Sequence, residues 1–213
     1  MIPYLSNWKA TAMVPSKRGT YRYSLSIEKN SGSNRKTLLV LLMNPSHSDL
    51  SQSDITTNNV LTIAGNLKNN YNKIIICNTF PIRESKTKNI NIPPQKFLTR
   101  NQNEIDALLR KCDSVLIATG NMNVPNNATV KKEFESEYQI ILKNIYQKAN
   151  RCFVVHLNSG SHGLHASDMA LINYFNSNSN FSSGNINFKN NCDLISLESV
   201  SITQNKNGSY SLT

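Results

Sequence analysis

The feature that most constrains this chain is an unbroken apolar run, Leu38 to Met43, that stops abruptly at Asn44-Pro45-Ser46-His47. So short a run, without alternation and bounded by polar residues, reads as a strand buried on both faces, as in a parallel sheet. Pro45 fixes its own φ and disfavours helical geometry at Asn44, so the turn holds Asn44 extended and aims its amide. Open α/β sheets bind ligands at the carboxyl ends of their strands, which is where these residues lie. Asn-Pro and Pro-Ser are also common strand-ending punctuation, so the loop alone fits either reading.

Three more runs repeat the pattern: Lys73 to Cys77, Ser114 to Ala118 and Cys152 to Leu157. Helical periodicity fills the intervals. A helix capped by Asp54 or Thr56 carries Val60, Leu61, Ile63, Ala64 and Leu67 on its apolar face. Further helices are expected over Asn101 to Lys111, Val130 to Ala149 and Ser167 to Phe175. This alternation predicts an α/β fold, a three-layer α/β/α sandwich around a central four-stranded, mainly parallel sheet, with peripheral β-hairpins.

Tyr21 to Ile27 alternates and is expected to form a hairpin with the central strand across the polar turn Asn30 to Arg35. Residues 1 to 20, with Trp8 and the basic pair Lys17-Arg18, show no clear period and read as an N-terminal arm. A second hairpin is signalled by Ser199 to Thr203, a turn at Asn207-Gly208, and Tyr210 to Leu212. The Ser/Asn-rich segment 176–191 reads as a mobile loop, and residues 1–213 as one domain.

Composition narrows the partners. A formal charge of +10 and a pI near 9.5 point to a polyanion, nucleic acid before an anionic membrane. The same Lys- and Asn-rich composition also follows from an AT-rich genome, so charge alone does not decide. No apolar run approaches the roughly 20 residues that span a bilayer, and the N-terminus lacks signal-peptide order, so a cytoplasmic protein with no membrane partner is expected. Cys77, Cys112, Cys152 and Cys192 form no C-x-x-C pair, and this scatter argues against a zinc site.

Every predicted strand ends in a polar loop: N-P-S-H, N-T-F-P-I-R after Cys77, T-G-N after Ala118 and N-S-G-S-H after Leu157. A parallel sheet gathers these loops on one edge. In this order they resemble the motifs of the uracil-DNA glycosylase superfamily. Leu42-Met43-Asn44-Pro45-Ser46-His47 is similar to its first motif, written G-Q-D-P-Y-H in one branch and G-I-N-P-G in another. Ile75 to Arg83 resembles the base-reading strand L-L-L-N-T-x-L-T-V-R, and Cys112 to Gly120 the third strand. The loop from His156 to His165 falls where the family has H-P-S-P or N-P-S-G, and the likeness covers about residues 37 to 175. A group of uncharacterised bacterial proteins sharing L-x-N-P-S, some on mobile elements, is a closer match.

The resemblance implies a monofunctional hydrolase of base excision repair, flipping uracil or a related pyrimidine out of DNA and cleaving its N-glycosidic bond. Asn44 would hold the attacking water, because an amide cannot serve as a general base. His156 or His165 would donate to the base as negative charge develops on it. Pro45, Ser46, His47, Asn78, Phe80, Asn158 and Ser159 would bind the substrate, with Asn78 reading the base edge and Phe80 stacking on it. Arg83, Lys86 and Lys88 would meet phosphate.

The final motif lacks its proline, so His156, Asn158 and His165 all stand as candidates for its leading position. Ser46 replaces a bulky tyrosine that excludes thymine, which opens the pocket to 5-substituted uracil. Some relatives carry a four-cysteine iron–sulfur cluster; the spacing here argues against one, and no metal or other cofactor is expected. Single- or double-stranded DNA is the expected partner of a monomer, with a small protein inhibitor or mobile-element replication proteins as further partners. The alternatives are a catalytically inactive DNA- or nucleotide-binding module on the same fold, and a nucleotide or nucleoside hydrolase.

Overall fold

The computed structural model describes residues 2–30, 36–66, 71–121, 127–148, 151–158, 162–167, 170, 171, 173 and 197–213. In chain order these form β1 (Trp8–Val14), β2 (Ser24–Lys29), β3 (Thr37–Leu42), α1 (Ile55–Asn66), β4 (Lys73–Asn78) and α2 (Gln95–Leu109). There follow β5 (Ser114–Ile117), α3 (Ala128–Lys148), β6 (Arg151–Val154), β7 (Leu157–Asn158), β8 (His162–Gly163), β9 (Glu198–Val200), β10 (Ile202–Gln204) and β11 (Tyr210–Leu212).

The central sheet has seven strands in the order β1-β2-β4-β3-β5-β6-β9. Its middle, β4-β3-β5-β6, is parallel, as the apolar runs predict, and β3 is buried along its whole length. Successive residues of β3 serve opposite cores. Leu38 and Val40 pack with Val60, Leu61 and Ala64 of α1; Leu39 and Leu41 pack with Ile105 of α2 and Phe134 and Ile141 of α3. Both faces of the sheet are therefore covered by helices. Truncating one such leucine to alanine costs about 2–5 kcal/mol.

Four expectations are corrected. The sheet is not four-stranded, because antiparallel strands extend it on both flanks. Residues 8 to 14 are not an arm but the edge strand β1, whose period is broken by an irregularity between Ala10 and Ala12. Strand β2 does not form a hairpin with β3; it pairs antiparallel with β1 and β4, while β3 lies parallel between β4 and β5. The physical reason is burial: β3 is apolar on both faces and belongs at the centre, whereas half-buried β2 suits a flank. Helix α2 begins at Gln95 rather than Asn101, directly after Pro94, which occupies the N-cap.

Asp54 caps α1 as expected, accepting the Thr57 N–H at 2.8 Å. The C-terminal hairpin forms from β10 and β11, and Gly208 takes the positive φ of 82° that its turn requires. The preceding Glu198–Val200 joins the main sheet beside β6 instead. Of the helix expected from Ser167 to Phe175, the described part carries an i→i−4 hydrogen bond, Leu171 N to Ser167 O at 3.0 Å. The loop 176–191 lies outside the described residues. Among the described residues no helix is long and apolar enough to cross a membrane.

Candidate functional site

The turn after β3 is tied first to the turn after β4. Thr79 N donates to Leu42 O and Phe80 N to Met43 O, each at 2.9 Å, and Glu84 N donates to Pro45 O at 3.0 Å. The Asn44 side-chain Nδ2 donates to the carbonyls of Glu84 and Pro45. With both amide hydrogens committed, Asn44 is left its Oδ1 as an acceptor.

Asp54 holds the turn from the other side. Its Oδ2 accepts from the Ser46 hydroxyl at 2.6 Å and from Ser48 N at 3.0 Å. Burial pushes this carboxyl up, but hydrogen bonds from Ser46, Thr57 and Ser48 outweigh it and hold it below the usual carboxylate range. Asp54 is therefore an ionised group at neutral pH.

Beneath the turn lies Arg22, only 2% exposed. Its Nη1 donates to the Ser48 carbonyl at 2.9 Å and hydroxyl at 2.6 Å, and its Nη2 to Asn78 Oδ1 at 3.3 Å. Burial and the neighbouring Arg83 push Arg22 down to about 10, which still leaves it cationic. Arg83 Nη1 donates to the carbonyls of Ser46 (2.9 Å) and Ser48 (3.0 Å). Two guanidinium groups thus brace one loop.

His165 enters from the loop after β6. Its Nδ1 accepts from Ser167 N at 3.1 Å, which places the proton of the neutral ring on Nε2. Burial pushes His165 down to about 4, against the opposing pull of the Asp54 charge, so the ring is neutral at physiological pH. Gly120, at φ 64°, packs so closely that a Cβ there would sit 2.8 Å from His165 Cβ. The Asn59 side chain on α1 anchors the next residue, donating to Ala166 O at 3.0 Å.

These groups enclose a cavity of about 290 Å³, at the small end of the range for ligand sites. Asn44, Ser46, Asp54, Glu84, Arg22 and His165 all line it. It lies at the carboxyl end of β3, where the sequence places a site. A family model described as Protein of unknown function (DUF1643) matches residues 22–166 of the 213. The chain belongs to this family. The matched span runs from Arg22 past His165, so it contains both poles of the cavity, while β1 and the terminal hairpin lie outside it. No curated protein and no solved structure gives a match.

Of the residues singled out from sequence, Asn44, Ser46 and His165 meet at the cavity, with Pro45 buried behind them. Others do not. His156 is half-exposed, pairs with Glu198 at 3.1 Å and is not on the wall. His47 points outward beside Arg18. Asn78 is fully buried behind Arg22, with its Oδ1 taken, and does not reach the cavity. Phe80 is packed edge-on against Phe134 in the core beneath α2 and α3, so it presents no face for stacking. Arg83 is half-buried and spent on the loop, whereas Lys86 and Lys88 are exposed, one just before and one within the single helical turn Thr87–Asn89. The Asn158 side chain and Ser159 fall outside the described residues.

Sequence reasoning missed Arg22 altogether and took Asp54 only as a cap. Arg22 sits between Tyr21 and Tyr23 in an alternating stretch, where an arginine reads as solvent-facing. Among the described residues no group of three or more His, Cys, Asp or Glu could hold a metal ion. Burial pushes the Cys112 and Cys152 thiols up to about 11 and about 12. Cys192 lies outside the described residues.

Proposed function

We propose that the protein is an N-glycosidase of the uracil-DNA glycosylase type, acting on uracil or a related pyrimidine flipped from DNA. One observation carries the reading: Asn44 and His165, from loops far apart in the chain, line one cavity together with the ionised Asp54. Cleaving the bond from the sugar C1′ to the base N1 sends the electron pair onto the base and leaves an oxocarbenium-like sugar. The His165 Nε2–H suits the developing negative charge at the base O2, because the neutral ring still carries that one donor. The fixed negative charge of Asp54 favours the sugar cation. A water accepted by Asn44 Oδ1 adds to C1′ and releases a proton to solvent.

His165 rather than His156 is the donor in this scheme, and base reading does not pass through Asn78 or Phe80. Phosphate contacts fall to Lys86 and Lys88, without Arg83. Ser46 leaves the space that a tyrosine would fill, so 5-substituted uracil belongs among the substrates.

The test is base release, read by alkaline strand cleavage, from oligonucleotides carrying uracil, 5-hydroxymethyluracil, thymine or cytosine. Removing one preorganised donor of this kind costs about 10²- to 10³-fold in rate. His165→Ala and Asn44→Ala should each lose turnover on that scale, and His156→Ala should stay within a few-fold of the parent. Folded wild-type protein that binds these oligonucleotides but releases no base would refute catalysis and favour a binding module.

A further inference from the structure

Helix α3 carries a histidine contact that this chemistry does not use. His162 is only 8% exposed, and its Nε2 lies 3.2 Å from Glu135 Oε2. The imidazole stacks on the Tyr138 ring at 4.5 Å between centroids and 22° between planes. Glu135 and Tyr138 are three residues apart on α3, hence neighbours on one helical face. Two groups of different chemistry thus grip one ring, the carboxylate fixing its in-plane rotation and the phenol its face.

The grip passes along the chain to His165. Gly163, next to His162, lies against the backbone of β5 so closely that a Cβ would overlap the Ile117 carbonyl oxygen. Its own carbonyl accepts Gly120 N at 2.9 Å, and Gly120 is the residue that abuts His165. Leu164 N donates to His156 O at 2.8 Å. Each residue from His162 to His165 is therefore held by a different element.

A phenylalanine at 162 would fill the same space beside Tyr138 without desolvating an imidazole. His162 Nδ1 has no partner among the described residues, so the ring gives up hydration there. With its carboxylate half-exposed, the Glu135 contact adds little net stability and is better suited to fixing one arrangement. We propose that His162 and Glu135 are positioning residues, a latch that holds His165 against the cavity. This rests on the reading of His165 as the donor, but its first test does not depend on activity.

That test follows the His165 ring by NMR titration in wild type, Glu135→Ala and Glu135→Gln. Glu135 is half-exposed in mid-helix, and alanine there favours the helix, so the variant keeps its fold. Asp54, the charged group acting on His165, is unchanged in all three proteins. Deleting a negative charge at Glu135 would by itself lower the His165 midpoint. Loosening the loop hydrates the ring and raises it.

The expected result is a rise of one unit or more in Glu135→Ala, from about 4 toward the ordinary 6.5. In Glu135→Gln, whose carbonyl still accepts from His162, the midpoint should stay near wild type. His162→Gln, which retains a donor but loses the stacked ring, should fall between them. An unchanged or lowered midpoint in Glu135→Ala overturns the latch. In the base-release assay Glu135→Ala should lower kcat about tenfold or more with little change in KM. If wild type releases no base, the glycosidase reading falls, while the titration still decides the latch.

Discussion

Lowering the pH should unfold this protein in a window that belongs to His165. The folded cavity keeps its ring neutral down to about 4, whereas an unfolded chain protonates it below about 6.5. Through that interval the unfolded state binds the extra proton, so stability falls as pH falls. Above about 6.5 both states are neutral and nothing is lost; below about 4 the folded state protonates too and the loss stops growing.

At 1.36 kcal/mol per pH unit the full effect is about 3 kcal/mol, reduced to about 2–3 by the water that reaches the cavity wall. His165→Gln removes the titration while leaving a polar group in place. Urea unfolding of both proteins from about pH 7 to about pH 4 should show the wild-type advantage shrinking by about 1–2 M in midpoint, for a slope of 1–3 kcal/mol per M. Taking the difference between the two cancels the carboxylates they share. Asp54 and Glu135, held below their ordinary range, stabilise above it and lose that contribution only as pH falls through their lower folded values. Parallel curves for the two proteins across the window would refute the burial argument for His165.

Gly120→Ala must adopt a left-handed φ of 64° and place a methyl 2.8 Å from His165 Cβ, so a loss of about 2 kcal/mol or more in urea unfolding is expected. Arg22→Met strands the Ser48 and Asn78 acceptors in the interior and should cost about 2–5 kcal/mol by the same measure. Arg22→Lys should recover little of it, because a single ammonium cannot fork between Ser48 and Asn78. If DNA binds, replacing Lys86 and Lys88 with alanine should flatten the salt dependence of binding by about 1.4 to 1.8 in log–log slope. Arg83→Ala should instead lower stability and leave that slope unchanged, since its guanidinium holds the carbonyls of Ser46 and Ser48.

Local chemistry was enough to read much of this architecture from the chain alone. Leu38 to Met43 demands burial on both faces whatever its neighbours, so β3 had to lie centrally in a parallel sheet. Asp54 caps α1, and Asn207-Gly208 turns the last hairpin, because each acts within a few residues of itself. The Asn44 turn was legible for the same reason: Pro45 constrains it from the next position.

Other features depended on partners distant in sequence. Nothing near Tyr21 to Ile27 says that β2 should pair with β4 and not β3, because edge pairing is set by which apolar faces must be covered first. Arg22 is buried only because the turns after β3 and β4 close over it and supply Ser48 and Asn78 as acceptors. Asn78 and Phe80 were expected to read a base, yet the end of β4 sets one beneath Arg22 and the turn after it sends the other into the core under α3. The choice between His156 and His165 was likewise tertiary. Both lie in one loop of similar composition, but His165 lines the cavity beside the Gly120 turn, with its neighbour Ala166 anchored by α1, while His156 faces Glu198. Periodicity and caps report what a residue does to its own backbone; which atoms converge on a cavity is decided by long-range packing, which no local pattern encodes.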